Sequence, residues 1–393
     1  MSKHETVKIL RYNSDGAGVG TLASGKTVFV PFTAAGETVE ISVVQEQKNY
    51  AIAETVKIIE ASPDRVSPRC PVFGKCGGCQ LMHISYEKQL EIKRDILRGA
   101  LKRIGGIDFE PEAAAPSTPF CYRNKAALFK AQAGGKTSAG FYASNSHDIV
   151  DIEYCPICGD WLTKIISDFR AKNAAGDCVT ARRIGGRVQC AFGDRNAALS
   201  GGERLNGECA GIKYSVDINS FLQVNPDVAE TMYLKALELS GVNENDIVID
   251  AYSGIGILTA LFARRAKKAY GIEIVPQAVA DANRLMLENG ITNAENILAD
   301  CGRELPRLLN HSAVGRLIII LDPPRKGCDR AVVDALIQYP ADKIIYISCD
   351  PATLSRDLKL LTAGNIYKLT YARPFDMFPQ TSNIEALICL EKI

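Results

Sequence analysis

Short apolar and polar runs alternate over residues 7 to 58. Val28, Val30 and Phe32, then Val39, Ile41 and Val43, then Tyr50 and Ile52 keep the two-residue period of half-buried strands. Turn signals at Asp15-Gly16, Ser24-Gly25 and Ala35-Gly36 separate the runs, so a five-stranded OB-type barrel over residues 1–60 is the simplest closed solution. Such barrels often bind nucleic acid, and a purely structural barrel carries the same pattern. A Pro- and Cys-rich link then leads to a helical stretch from about Ser85 to Ile104. Leu90, Leu97, Leu101 and Ile104 share one face there, Lys88, Arg94, Arg98 and Lys102 lie largely elsewhere, and Gly105-Gly106 is the stop. Residues 119 to 215 read as mixed β and α structure and complete a central α+β domain over 61–215.

From about Asn225 the pattern changes to helices alternating with short apolar strands. Strands are predicted at 247–251, 269–273, 295–299, 317–321 and 343–348, which implies a doubly wound, Rossmann-like parallel sheet in a third domain, 216–393. Ligands of such sheets sit beyond the carboxyl ends of the strands. Those ends carry Asp250 and its following loop, Glu273, Asp300, Asp322 and Cys349. All are polar or reactive, and their convergence is the strongest functional signal in the chain.

Composition narrows the partners. The 393 residues are 47% hydrophobic and 23% charged, enough for two or three domains with real cores, and the formal charge of +1 gives no global pull toward a polyanion. Charge is unevenly spread: residues 121 to 215 carry thirteen basic and nine acidic side chains, and residues 216 to 393 eighteen and twenty-two. A polyanion would therefore dock on the middle of the chain. No apolar run reaches the roughly 18 residues of a membrane span and the N-terminus is polar, so a cytoplasmic protein without membrane contact is expected. The thirteen cysteines then read as thiols, metal ligands or catalytic groups rather than disulfides, and four histidines leave little room for a His-built metal site.

The loop Asp250-Ala251-Tyr252-Ser253-Gly254-Ile255-Gly256, followed by a helix and with Glu273 at the end of the next strand, suits a nucleoside-bearing cofactor. Thr259 stands where a dinucleotide fingerprint has its third glycine. S-adenosylmethionine has no pyrophosphate to cradle, and Tyr252, Gln223 and Asp300 are candidates to hold its methionine tail and adenine, so methyl transfer leads. Cys349 follows the fifth strand and precedes Asp350-Pro351, a capped helix start whose dipole predicts a lowered thiol pKa, with the Asp350 carboxylate working against it. A buried structural cysteine is the bland alternative. Asp322-Pro323-Pro324-Arg325 resembles the loop that positions an amino group for methylation, but Arg325 replaces its aromatic residue. With a cysteine one strand away, the fitting chemistry is methylation of a pyrimidine carbon, which needs a thiolate at C6 and a base for the C5 proton. Glu385, at the start of the last strand, faces Cys349 if that strand runs antiparallel.

Together these motifs resemble the RNA uracil-C5 methyltransferase family, on Phe221-Leu222-Gln223-Val224-Asn225, the Asp250 to Gly256 loop, Glu273, Asp322-Pro323-Pro324-Arg325, Ser348-Cys349-Asp350-Pro351 and Asp376-Met377-Phe378-Pro379. The resemblance implies Cys349 as nucleophile, Glu385 as base, Gln223, Tyr252, Glu273, Asp300 and Asp322 as S-adenosylmethionine contacts, and Phe221 as a stacking neighbour of the target base. Asn383 stands where the family usually has His, and Asp350 where it often has Asn. Neither departure removes a group the chemistry requires. The first 58 residues resemble a TRAM barrel, which in this family marks the ribosomal RNA enzymes.

Three thiols in Cys70-Pro-Val-Phe-Gly-Lys-Cys76-Gly-Gly-Cys79 and a later Cys155-Pro-Ile-Cys158 suit zinc or a four-iron cluster by spacing alone. The run resembles the 4Fe-4S site of the ribosomal RNA branch, which implies Cys155 as the fourth ligand with Cys158 as its rival. The sequence reading is therefore a monomeric 23S ribosomal RNA uridine C5 methyltransferase using S-adenosylmethionine and carrying a 4Fe-4S cluster, with transfer RNA as the alternative substrate. An iron-sulfur dinucleotide oxidoreductase lacks its third glycine and leaves Cys349 and Glu385 without roles. A non-catalytic RNA-binding protein needs neither residue.

Overall fold

A computed structural model describes residues 4–171, 176–194, 203–311 and 315–393. The N-terminal strands His4–Lys8, Thr38–Glu46, Tyr50–Glu60, Thr27–Val30, Gly18–Thr21 and Arg11–Tyr12 form, in that spatial order, one six-stranded sheet. The expected barrel has five; the extra strand is the two-residue Arg11–Tyr12, too short to carry a periodic signal. The sheet curls until the Leu10 amide donates to Val19 O at 2.8 Å. Val28, Val30, Val39 and Ile41 fill its interior as their alternation predicts, but in the long last strand Ala51 and Ala53 point inward and Tyr50 is exposed. The small side chains leave room for the branched ones opposite, and a count of large apolar residues reads that strand in the wrong phase.

The helix after the Cys-rich link spans Tyr86–Ala100 and runs on as one π-helical segment, Leu101–Gly105, to a left-handed Gly106 at φ +68°. Its buried face differs from the expected one. Gln89, Ile92, Lys93 and Leu97 are buried while Ile104 is exposed, because this face packs on polar groups of the C-terminal domain as well as on its apolar core. Beyond it, strands Arg187–Gly193, Cys178–Ile184, Lys125–Ala133, Lys136–Tyr142 and Ile149–Asp151 form a five-stranded antiparallel sheet in that order, covered by helix Asp160–Ala171. The ribbon Leu205–Cys209 and Ile212–Val216 buries Leu205, Ile212 and Val216 in the core of the C-terminal sheet.

That sheet has seven strands: β1 (Ile247–Ala251), β2 (Lys268–Glu273), β3 (Ala294–Leu298), β4 (Leu317–Leu321), β5 (Lys343–Ser348), β6 (Tyr367–Phe375) and β7 (Glu385–Lys392). Their order is β3-β2-β1-β4-β5-β7-β6, with the first five parallel and β7 antiparallel to both β5 and β6. The continuous apolar runs that marked these strands are explained by burial on both faces. Val248, Ile318, Ile320, Ile345 and Ile347 enter one apolar cluster, and their chain neighbours Ile249, Ile319, Leu321, Ile344 and Tyr346 enter the other. Burial of each large side chain contributes roughly 1.5–3 kcal/mol, which fixes the register and with it the strand ends. Among the described residues no helix is long and apolar enough to cross a membrane.

Candidate active site and a cysteine cavity

The carboxyl edge of the sheet opens into a cavity of about 910 Å³. Tyr252, Glu273, Asp300, Asp322 and Cys349 line it from the ends of β1 to β5, Glu385 enters from the start of β7, and Phe221 and Gln223 from the segment before the domain. Phe221 is 73% exposed, an unusual position for so large an apolar side chain.

The turn after β1 is built for close approach. Tyr252 takes a left-handed backbone at φ +67° and Gly256 one at φ +81°, where an added Cβ would lie 3.0 Å from Ala282 Cβ. Thr259 explains its departure from glycine: its hydroxyl donates to Asp250 Oδ2 at 2.6 Å, fully buried. Asp250 Oδ1 and Ser253 Oγ are buried without partners, and burial pushes the Asp250 carboxyl up to about 7. Glu273 is locked by three amides, Gly254 N at 2.9 Å on one oxygen and Ile274 N and Val275 N at 2.8 Å on the other. Three of the roughly four acceptor directions of the carboxylate are thus used, leaving one for a hydroxyl in the cavity. Orphaned acceptors, a glycine-dependent turn and an oriented carboxylate fit a nucleoside-bearing ligand with hydroxyls to donate.

At the other end of the cavity the pairing of β5 with β7 sets Ser348 opposite Ala386, so Cys349 and Glu385 follow side by side just past the last pair. Asp350 caps the next helix, accepting from Ala352 N and Thr353 N at 2.9 Å, and Pro351 opens it. The helix start is as the sequence predicts, yet the thiol moves the opposite way. Burial, reinforced by the carboxylates of Glu385 and Asp322, pushes Cys349 up to about 11, and only the Arg325 charge and a backbone hydrogen bond oppose this. Half-burial among acids outweighs one helix terminus. Burial likewise raises Asp322 to about 7 and, with Asp322 alongside, holds Glu385 well above the usual carboxylate range, again against Arg325.

Arg325 and Tyr233 are the site residues that sequence patterning missed. Arg325 is the cation common to Cys349 and Glu385, and its only signal is its place after Asp322-Pro323-Pro324. Tyr233 reaches the cavity from helix Pro226–Ser240, where it is one more buried residue of an amphipathic stripe.

The sulfur-rich segments meet elsewhere. Cys70, Cys76, Cys79, Cys155 and Cys158 line an apolar cavity of about 120 Å³ together with Val72, Phe73, Met82 and Phe141. Burial raises the Cys70, Cys76 and Cys79 thiols, while a hydrogen bond from Cys158 brings Cys155 down to about 7. Both rivals for the fourth position therefore face the same space. Among the described residues no three His, Cys, Asp or Glu side chains are close enough together to hold a single metal ion.

Comparison with known proteins agrees with this geometry. A profile of the tRNA (uracil-5-)-methyltransferase family matches residues 202–393, and one of the tRNA (uracil(54)-C(5))-methyltransferase TRAM domain matches residues 6–63. An uncharacterized RNA methyltransferase of Bacillus cereus is 33% identical over 96% of this chain and 95% of its own length, and one of Halalkalibacterium halodurans is 34% identical over 96% and 94%. The fold matches the crystal structure of Pyrococcus abyssi tRNA (uracil-54, C5)-methyltransferase in complex with S-adenosyl-L-homocysteine, with TM-score 0.77 and 24% identity over 98% of this chain and 100% of that one. The cavity at the sheet edge, the barrel ahead of it and relatives aligned along nearly the whole chain lead to one assignment: this protein belongs to the S-adenosylmethionine-dependent RNA uracil-C5 methyltransferase family.

Proposed function

We propose that the protein methylates C5 of a uridine in 23S ribosomal RNA through a covalent bond between Cys349 and C6 of the base. The observation that carries the mechanism is the β5–β7 register, which brings Cys349 beside Glu385. Uracil C5 is a poor nucleophile until a thiolate adds to C6. Cys349 supplies that thiolate, with Arg325 offsetting the cost of its charge. Glu385, ionised against the same Arg325, takes the C5 proton after C5 is methylated; the C5–H electron pair then restores the double bond, and the C6–S bond breaks to return the thiolate. S-adenosylmethionine, when bound, supplies an electrophilic methyl group. Gln223, Tyr252, Glu273, Asp300 and Asp322 would hold it, and Phe221, exposed at the mouth, would stack on the target base.

The 4Fe-4S cluster belongs to the same reading, with Cys70, Cys76, Cys79 and Cys155 as ligands. Cysteine sulfurs that line one apolar cavity offer the four thiolates that such a cluster takes. The likeness of the cysteine run to the ribosomal RNA branch favours 23S ribosomal RNA. Transfer RNA is the second reading, favoured by the matched family names. Incubation of the purified protein and S-adenosylmethionine with unmodified 23S ribosomal RNA and with unmodified transfer RNA, followed by mass mapping of 5-methyluridine, tests the proposal. Product in the ribosomal RNA alone is expected; product in transfer RNA alone overturns the substrate assignment.

A further inference from the structure

The turn between β6 and β7, from Asp376 to Ile384, ends at Glu385 and sends Phe378 into the catalytic cavity. Its polar groups find many of their partners outside the catalytic sheet. The Asp376 carboxylate accepts from Lys93 Nζ on one oxygen and from Tyr86 OH at 2.8 Å on the other, and Lys93 also donates to Phe378 O at 3.0 Å. Tyr122 OH donates to Pro379 O at 3.0 Å. Gln380, held at φ +71°, accepts from Gln89 Nε2 on its side-chain oxygen and donates its backbone amide to Gln89 Oε1, and its carbonyl accepts from Gln80 N and Leu81 N, the two amides that follow Cys79.

Lys93 and Asp376 have no exposed side-chain surface. A buried ion pair is an expensive way to join a helix to a loop, since apolar side chains of similar volume would serve stability as well or better. What the pair adds is direction. One ammonium fixes both the start of the turn and the carbonyl of the residue that enters the cavity, and Tyr86 fixes the other carboxylate oxygen while accepting from Ser117 N at 2.7 Å.

We propose that Lys93, acting through Asp376 and the Phe378 carbonyl, is a positioning residue for proton abstraction: it holds the β6–β7 turn so that Glu385 meets the C5 proton. The inference rests on Glu385 being the base. It separates two stages of the reaction, because Cys349 is carried by β5 and does not depend on this turn. Loosening the turn leaves addition and methylation in place and slows proton removal, so the methylated RNA stays bonded to Cys349.

The test compares Lys93→Met, Tyr86→Phe and Glu385→Gln in the full-length protein, with 23S ribosomal RNA transcript and S-adenosylmethionine, on denaturing gels. Lys93→Met should lower kcat about 100-fold, within the range of a general base. It should accumulate methylated RNA–protein adduct as Glu385→Gln does, and leave KM for RNA and the Kd for S-adenosylmethionine within about twofold of the parent. Tyr86→Phe, which removes the hydrogen bonds to Asp376 and from Ser117 N but no charge, should show the same adduct with about a threefold loss, from a contribution of roughly 0.5–1.5 kcal/mol for the bond to Asp376. Tyr86→Phe decides the matter if Lys93→Met does not fold. Wild-type turnover without adduct in both variants, or a loss of cofactor affinity in proportion to kcat, overturns the proposal. If Glu385→Gln itself traps no adduct, the base assignment falls first; if it traps adduct and the other two do not, only the positioning role falls.

Discussion

Two sets of thiols in this chain are buried in different company, and the company sets what each can do. Cys349 lines a large cavity beside the carboxylates of Glu385 and Asp322 and the guanidinium of Arg325. The five cysteines of the smaller cavity share a lining of Val, Phe and Met, with each other as the chief source of charge. A thiol amid titratable groups has a pKa that one neighbour can tune, which suits transient bonding to a base. Thiols crowded in an apolar space repel one another as anions and become favourable ligands only when a cation compensates them. Residue type is the same in both places, and the neighbours decide the chemistry.

The sharpest way to break this contrast is to remove the Cys349 thiol. Cys349→Ala should lose turnover by roughly 10⁴-fold or more, as when the nucleophile of a covalent mechanism is deleted, and should form no RNA adduct on denaturing gels while still binding RNA and cofactor. An adduct in this variant would place the nucleophile elsewhere. Glu385→Gln comes next, with turnover down about 10²–10⁴-fold. Because an amide cannot take the C5 proton, the methylated RNA should remain bound through Cys349, seen by mass spectrometry of the adduct.

For the other cavity the expected loss is of metal rather than rate. Anaerobically purified protein should carry about four irons per chain. Cys155→Ala should release them, and Cys158→Ala should keep them. Iron quantification decides: one zinc without labile sulfide removes the cluster, and the opposite pair of results exchanges the two residues.

Much of the catalytic sheet was legible because its strands are buried on both faces and read as apolar runs with polar ends, 317–321 and 343–348 to the residue. The barrel was half legible. Where Val and Ile mark the interior, alternation works; where Ala51 and Ala53 do, it reads the strand in the wrong phase. The linking helix was found but its face only in part: Leu97 and Leu101 are buried as expected, whereas Gln89 and Lys93 are buried against partners about 290 residues away, and no local period encodes a hydrogen bond of that range. Cofactor-site candidates stood at strand ends, where topology predicts them. The Cys349 thiol pKa was misread because a helix start is visible in sequence, whereas the acids contributed by β4 and β7 converge only in the fold.

Arg325 gives the smallest effect and the finest test of how neighbours set the Cys349 thiol. Its charge lowers Cys349 and Glu385 together, against burial that raises both. With the thiol pushed up to about 11, the thiolate is a minor form at neutral pH. Adduct formation should therefore climb about tenfold per pH unit on the alkaline side of neutrality, until another group limits it. Arg325→Met removes the opposing charge. The thiol then titrates higher still, its thiolate fraction at fixed pH falls, and the alkaline limb of the rate profile moves to higher pH. Glu385 moves the same way, so less of it is ionised to accept the C5 proton. Both steps lose, by about tenfold in turnover at neutral pH if the neighbouring charge is worth about one pKa unit, and Arg325→Lys should recover part of the loss. A rate profile for Arg325→Met that overlays the parent's would mean that Arg325 does not tune the nucleophile.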